Sequence, residues 1–264
     1  MDIFQEKRPK MIKKWNITIP QLTGQVKRKA YVYVPEEAKK YPDARWPVLY
    51  MFDGHNIFYD KDATYGKSWG MAQFVKETHL PLIIAAVECN HDPNNGRPKE
   101  YSPFTFRNKE LGLIEGRGQE TMQWLTEEFK PFIDKSFPTL PDREHTFIGG
   151  SSMGGLMSLY AVMAYNHVFS RAAALSPSIW FAEKDLDKVL RSSPIGEDTV
   201  VYMDYGSREM SYHPNMKQQF MKVAYTLLER DVFVDCRIVP HGNHNEASWE
   251  AQIPFFMNTL LYGG

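Results

Sequence analysis

Only two cysteines, Cys89 and Cys236, occur in 264 residues, too few for a disulfide framework. Both lie in apolar, strand-like runs, where cysteine serves as a small buried hydrophobe. Neither sign of charge is in excess: 31 basic against 32 acidic residues give a net charge of −1 and an isoelectric point near 6.7. That balance excludes the basic face that nucleic acid requires and offers no attraction to an anionic membrane. No apolar run approaches the roughly 18 residues of a membrane span. The N-terminal MDIFQEKRPKMIKK mixes charges without the apolar centre of a secretory signal. The expected compartment is therefore the cytoplasm, although a mature secreted form would carry the same pattern. Internal repeats, low-complexity segments and linkers are also missing. What is present is 43% hydrophobic and 14% aromatic content, enough for a large core, so a single domain spanning residues 1–264 is expected.

Apolar runs of strand type recur at 15–20, 29–35, 47–52, 81–88, 145–150, 171–176, 199–205 and 232–239, and helical periodicity at 69–78, 116–135, 153–166, 214–230 and 246–261. No helix separates the first two runs, and the short loop from Gln21 to Gln25 predicts a hairpin. From residue 47 onward strands and helices take turns. The expected architecture is an α/β fold with a mostly parallel, eight-stranded sheet, an antiparallel N-terminal edge and helices on both faces. In such sheets ligands bind beyond the carboxyl ends of the strands. The polar stretch from Cys89 to Arg107, rich in proline and asparagine, is too long for a plain connection and is expected to rim the site.

The segment HTFIGGSSMGGLMS, residues 145–158, joins a β-type run to an apolar helical pattern through Gly150-Ser151-Ser152-Met153-Gly154. With glycine near 7% of residues, G-x-S-x-G arises by chance in roughly one chain in ten of this length, so the strand before it and the helix after it carry the argument. A serine hydroxyl is a poor nucleophile until a base removes its proton, and a sharp strand-to-helix turn exposes it to base and substrate together. Ser152 is the candidate nucleophile. Its base is sought on the loop after the last strand, where His241 and His244 stand in PHGNHNEASWE. His244 is preferred because it sits at the mouth of the helix that Asn245 or Glu246 begins, whereas His241 abuts the strand. The carboxylate that orients this histidine should follow the penultimate strand, VVYMDYGSREM. Asp204 lies inside that run and Glu209 on the loop beyond Gly206, and reach favours Glu209. Two N–H donors are needed for a tetrahedral oxyanion, and the backbone amides of Met153 and of His55, behind Gly54, are placed to supply them.

With these residues in place the chain resembles the esterase D-like family of α/β-hydrolases, which includes feruloyl and acetyl-xylan esterases, siderophore esterases, S-formylglutathione hydrolases and mycolyltransferases. The likeness runs from residue 15 onward through LYMFDGHNIF (49–58), KSWGM (67–71), REHTFIGGSSMGGLMSLYA (143–161), VFSRAAALSPSIW (168–180), YGSRE (205–209) and HNEASW (244–249). It implies Ser152 as nucleophile, His244 as base and the His55 and Met153 amides as the oxyanion hole. Members carry Asp or Glu after Gly-Thr or Gly-Ser, so Gly206-Ser207-Arg208-Glu209 supports Glu209 as the acid. Where several relatives have an apolar residue after the glycine of the oxyanion motif, this chain has the polar His55. The implied activity is hydrolysis of small acyl esters, such as acylated sugars or feruloyl and acetyl esters. An acyltransferase with the same triad is the alternative in another class, and an inactive binding module is disfavoured because all three triad members are present. Siderophore esterases of the group use basic residues, and here Arg97, Lys99, Arg107 and Arg208 are offset by Glu88, Asp92, Glu100 and Glu209. Among aromatic candidates for stacking on a sugar or phenolic group, Tyr65, Trp69, Tyr101, Trp180, Tyr205 and Tyr212, the substrate contacts expected are Trp69, Trp180 and Tyr101, together with His213. No cofactor is implied, and no metal, since His91 and Asp92 lack further clustered ligands in sequence. The expected partner is a small-molecule ester, and a homo-oligomer is compatible with it.

Overall fold

The computed structural model describes residues 12–213 and 215–264; most of the mixed-charge N-terminal segment read above, residues 1–11, and Pro214 lie outside the described residues. Among the described residues eight strands form the main sheet: β1 (Ile12–Thr18), β2 (Lys27–Tyr33), β3 (Val48–Met51), β4 (Ile83–Val87), β7 (Thr146–Ser151), β8 (Arg171–Leu175), β9 (Val200–Gly206) and β10 (Phe233–Val239). Their spatial order is β1-β2-β4-β3-β7-β8-β9-β10. The pairs β1–β2 and β2–β4 are antiparallel, and every pair from β4 to β10 is parallel. This is the arrangement expected, with the antiparallel edge at the N-terminus.

Strand alternation decides which helix covers which face. Val48, Tyr50, Ile83, Ala85, Ile148 and Ala172 point to one side and join the core with helices 153–164, 183–192 and 216–228. Leu49, Met51, Ile84, Ala86, Phe147 and Ala173 point to the other and meet helices Met71–Thr78 and Ile253–Tyr262. The central strands are buried on both faces, which is why they read as continuous apolar runs rather than as alternating ones.

Several local expectations are corrected. The periodic stretch at 116–135 is a helix from Gly118 to Ser136 with a π-helical segment, Leu125–Phe129, inserted in its middle. The C-terminal pattern splits into Glu246–Glu250 and Ile253–Tyr262, because Pro254 opens a new helix. Helix Glu183–Ser192 was not foreseen; most of EKDLDKVLRS is charged, and only Leu186 and Leu190 are buried. A two-stranded hairpin, β5 (Phe106–Asn108) with β6 (Gly112–Ile114), lies at the end of the polar 89–107 stretch. Cys236 is exposed, contrary to expectation, because β10 is the sheet edge and has half its side chains in solvent, whereas Cys89 is buried.

Because β3, β7, β8, β9 and β10 run parallel, their carboxyl ends share one edge of the sheet. The segments leaving them carry Asp53-Gly54-His55, Ser152, Ser176, Glu209 and His244. Residues nearly two hundred positions apart in sequence thus converge there.

Candidate active site

Ser152 sits between β7 and helix Met153–Ala164 with φ 59° and ψ −120°, a conformation that L-residues rarely adopt. Such strain, of order 1–3 kcal/mol, persists only where the surroundings over-determine it. Here the Ser152 N–H donates to the Leu175 carbonyl (2.9 Å), and its own carbonyl accepts from the Ser178 N–H (3.0 Å). Glycine is required nearby for space: a Cβ on Gly155 would lie 2.8 Å from the Leu175 carbonyl oxygen and 3.0 Å from Pro177 Cα.

His244 Nε2 stands 2.9 Å from Ser152 Oγ, and its Nδ1 stands 2.7 Å from Glu209 Oε2. The structure therefore brings together Ser152, His244 and Glu209 in one hydrogen-bonded line. Asn245 caps the following helix by accepting from the Ser248 N–H, which fixes where His244 leaves the loop. His241 is exposed and donates its backbone N–H to Ser207 Oγ, away from this line.

Glu209 is fully buried in a short 3₁₀ turn, Glu209–Ser211. Its second oxygen, Oε1, accepts from the Gly206 N–H and from Ser176 Oγ, both at 2.8 Å. Ser176 Oγ in turn accepts from Trp249 Nε1 at 3.0 Å, and the Trp249 ring stands edge-to-face with His244 at 5.1 Å. Ser178 Oγ lies 3.3 Å from Ser152 Oγ. Sequence reasoning assigned no roles to Ser176, Ser178 and Trp249, although they lie in the segments ALSPSIW and HNEASW that carried the resemblance.

Asp204 has separate duties. It accepts from the Ser176 N–H (3.2 Å) and the Tyr202 hydroxyl (2.8 Å), and makes no contact with His244 among these bonds. Burial raises its pKa to about 7 against the opposing pull of Tyr202 and the Ser176 amide, with nearby Glu209 adding to the rise.

The loop after β3 approaches from the other side. A Cβ on Gly54 would lie 2.8 Å from the Val87 backbone nitrogen, so only glycine lets this loop lie against β4. His55 and Met153 each stand in the first turn of a helix, where an N–H lacks an acceptor within the helix. Asp53 is clamped by Arg97 through two bonds, 2.7 Å to Oδ1 and 2.6 Å to Oδ2. Burial works to raise the Asp53 pKa, but the guanidinium overrides it and holds the carboxyl below its usual range.

A cavity of about 630 Å³ opens onto Ser152 and His244, and its walls include His55, Tyr65, Asn90, Arg97 and Glu246. The polar stretch expected to rim the site does so through residues 89–98. Two expected substrate contacts lie elsewhere. Trp69 is buried against Trp249 and Phe256, and Tyr101 is buried against Phe52 with its hydroxyl accepting from the Asp53 N–H. Large aromatics at these spacings went to the core, where they bury the most area. Trp180 and His213 stack on one another at 4.4 Å and are absent from the walls of this cavity. The expectation that His91 lacks clustered ligands is also corrected: donor atoms of His55, Cys89 and His91 lie within 4.8 Å of one another.

Residues 23–260 match the family described as Putative esterase. The chain belongs to this esterase family. It is a carboxylic ester hydrolase by that membership. Over 230 residues it is 25% identical to an uncharacterized Bacillus subtilis protein, YbbA, covering 83% of this chain and 86% of that one. Among solved structures, the BES protein from Bacillus cereus matches 99% of both chains with a TM-score of 0.73 and 20% identity. The siderophore hydrolase EstA from Aspergillus nidulans matches 98% of both with a TM-score of 0.69 and 17% identity. At such identities the structures share the fold with this chain, and the α/β-hydrolase arrangement is common to them. No helix among the described residues is long and apolar enough to cross a membrane.

Proposed function

We propose that this esterase cleaves small, polar acyl esters, such as acylated sugars, through an acyl-enzyme on Ser152. The observation that carries the reading is the unbroken line from Ser152 Oγ through His244 to Glu209, open at the serine end to a cavity with several amide and hydroxyl side chains in its walls. In the proposed sequence His244 Nε2 accepts the serine proton as Oγ attacks the ester carbonyl, while Glu209 holds Nδ1 protonated and stabilises the imidazolium. The His55 and Met153 amides receive the oxyanion. Collapse breaks the ester bond, and His244 returns its proton to the leaving alcohol. Water then repeats the cycle in reverse and frees the carboxylic acid.

The cavity walls support a hydroxylated leaving group over a long alkyl chain, since Asn56, Asn90, Asn95, Asn245 and Thr64 contribute to them and Tyr65 is the exposed aromatic. Likeness to a siderophore hydrolase favours a second reading, an iron-chelator ester. Against it, among the described residues the walls hold Arg97 as their single Lys or Arg, already paired with Asp53, beside the acidic Asp92 and Glu246. An anionic chelate would meet no free guanidinium or ammonium there. The deciding experiment is a panel of p-nitrophenyl esters of increasing acyl length, acetylated xylo-oligosaccharides, methyl ferulate and a ferric tricatecholate triester, each assayed with and without added alcohol. Highest kcat/KM on short acyl sugars supports the proposal. Preference for the chelate or for long alkyl chains overturns the substrate class, and dominant transfer to the alcohol overturns hydrolysis in favour of acyl transfer.

A further inference from the structure

A second constellation stands on the wall of the same cavity, made of side chains that the hydrolytic sequence does not use. His55 and Cys89 are buried, His91 is exposed on the loop after β4, and one donor atom from each lies within 4.8 Å of the other two. Cys89 Sγ and His91 Nδ1 are 4.0 Å apart, and the His55 and His91 rings meet edge-to-face at 4.8 Å. His55 is half-spent: Nε2 is bonded to Thr64 Oγ1 at 3.0 Å, while Nδ1 is buried without a hydrogen-bond partner among the described residues. A buried ring nitrogen left unpaired is costly and calls for a partner, an ion among them.

We propose that His55 Nδ1, Cys89 Sγ and a ring nitrogen of His91 form a binding site for a zinc-class divalent cation, with its fourth coordination position open to the substrate cavity. Nitrogen and thiolate donors suit this borderline-soft class and disfavour magnesium or calcium, which take oxygen ligands. Neighbouring donors in a tetrahedral zinc site lie roughly 3.3 to 3.7 Å apart, so the trio must close by about an ångström at its longest separation. The exposed His91 can supply that movement, since its side chain is free in solvent while the other two are held. Thr64 then accepts a hydrogen bond from Nε2–H, which fixes the His55 tautomer that leaves Nδ1 free for the metal.

Burial lowers the His55 pKa against the opposing pull of Asp53. Cys89 is different: burial first, then Asp53, pushes its thiol well above the ordinary range. Binding therefore forms the sulfur–metal bond and breaks the S–H bond, releasing one proton to solvent.

The test uses the whole protein in a Cys236→Ser background, so that the exposed second thiol does not contribute. Cobalt(II) is titrated as the probe, followed by zinc(II). The expected result is one cobalt per chain, with a sulfur-to-cobalt charge-transfer band and the visible bands of a tetrahedral ion, both removed by one equivalent of zinc. Cys89→Ala should abolish the charge-transfer band, and His91→Ala, a change at an exposed position, should weaken binding at least tenfold. Absence of the band, its survival in Cys89→Ala, or unchanged affinity in His91→Ala would overturn the site. Because the donors share a cavity with Ser152 and His244, zinc should also slow ester hydrolysis of the parent. Inhibition that persists in His91→Ala without the charge-transfer band puts the ion on His244 and equally overturns the proposal. The spectroscopic readout does not depend on the proposed triad, so failure of either idea is distinguishable from failure of the other.

Discussion

Glu209→Gln is the sharpest perturbation of the proposed mechanism, because donor geometry dictates which way the new amide must face. Oε1 of Glu209 accepts two hydrogen bonds, from the Gly206 N–H and from the Ser176 hydroxyl, which is itself held as a donor by the Trp249 N–H pointing at its oxygen. A glutamine must put its carbonyl oxygen there, since an NH₂ group would face two donors in a fully buried site. Its NH₂ then faces His244 Nδ1 at the place where Oε2 now accepts. Nδ1 is forced to be an acceptor, Nε2 carries the proton, and His244 donates to Ser152 Oγ instead of accepting from it. The tautomer is wrong for general-base catalysis, and the charge that stabilises the imidazolium is gone as well. Loss of the corresponding carboxylate in a serine triad lowers kcat by about 10⁴, or roughly 5 kcal/mol of transition-state stabilisation. The fold should hardly change, because the shape and both hydrogen bonds to Oε1 persist. Steady-state kinetics on p-nitrophenyl acetate with a parallel thermal melt measures both. A kcat within tenfold of the parent at unaltered Tm would refute the donor argument and the assignment of Glu209 with it.

Ser152→Ala should reduce kcat by about 10⁴ to 10⁶ without lowering stability, and mass spectrometry after a phosphonate inhibitor should find the adduct on Ser152 of the parent. An adduct on Ser178, whose hydroxyl lies 3.3 Å away, would reassign the nucleophile. His244→Ala should lose nearly all activity, whereas His241→Ala should retain it, because the His241 side chain is exposed and outside the cavity; equal losses in the two would contradict the reading. For Asp204 the linkage is one of stability. Its folded pKa of about 7 lies above the ordinary 3.8, so the folded chain holds this proton more tightly than the unfolded chain. The stabilisation is fully present below about pH 4 and is lost as pH rises towards 7, at up to about 1.4 kcal/mol per pH unit. Denaturant unfolding of the parent and of Asp204→Asn across pH 4 to 8 should show the parent losing ground to the variant through that window, with kcat of the variant within about tenfold of the parent. A pH-independent difference would mean that Asp204 is ionised throughout.

Much of this was legible in the sequence because it depends on local chemistry. The strand-turn-helix at 145–158 needs glycine where a Cβ would strike Leu175 or Pro177, and Ser152 stands at the strained position between the two elements. The parallel order from β4 onward follows from strands and helices taking turns, and the carboxylate that leaves its strand, Glu209, is the one that stands beside His244. Those inferences concern chain direction and reach, which sequence order encodes.

What only tertiary structure decided is which groups meet when several chain ends share one edge. Trp69 and Tyr101 looked like substrate contacts, yet the core claimed them, because apolar area removed from water favours burial over any one ligand contact. Helix 183–192 was hidden by its charged surface, and Cys236 by a strand whose edge position no local pattern reveals. Ser176 steadies Glu209, and His55 meets Cys89 and His91, for one physical reason: the carboxyl ends of neighbouring strands lie about 4.8 Å apart, however many residues separate them along the chain. Local residues set the elements and the strained turn that holds Ser152; strand adjacency set the company that each functional group keeps.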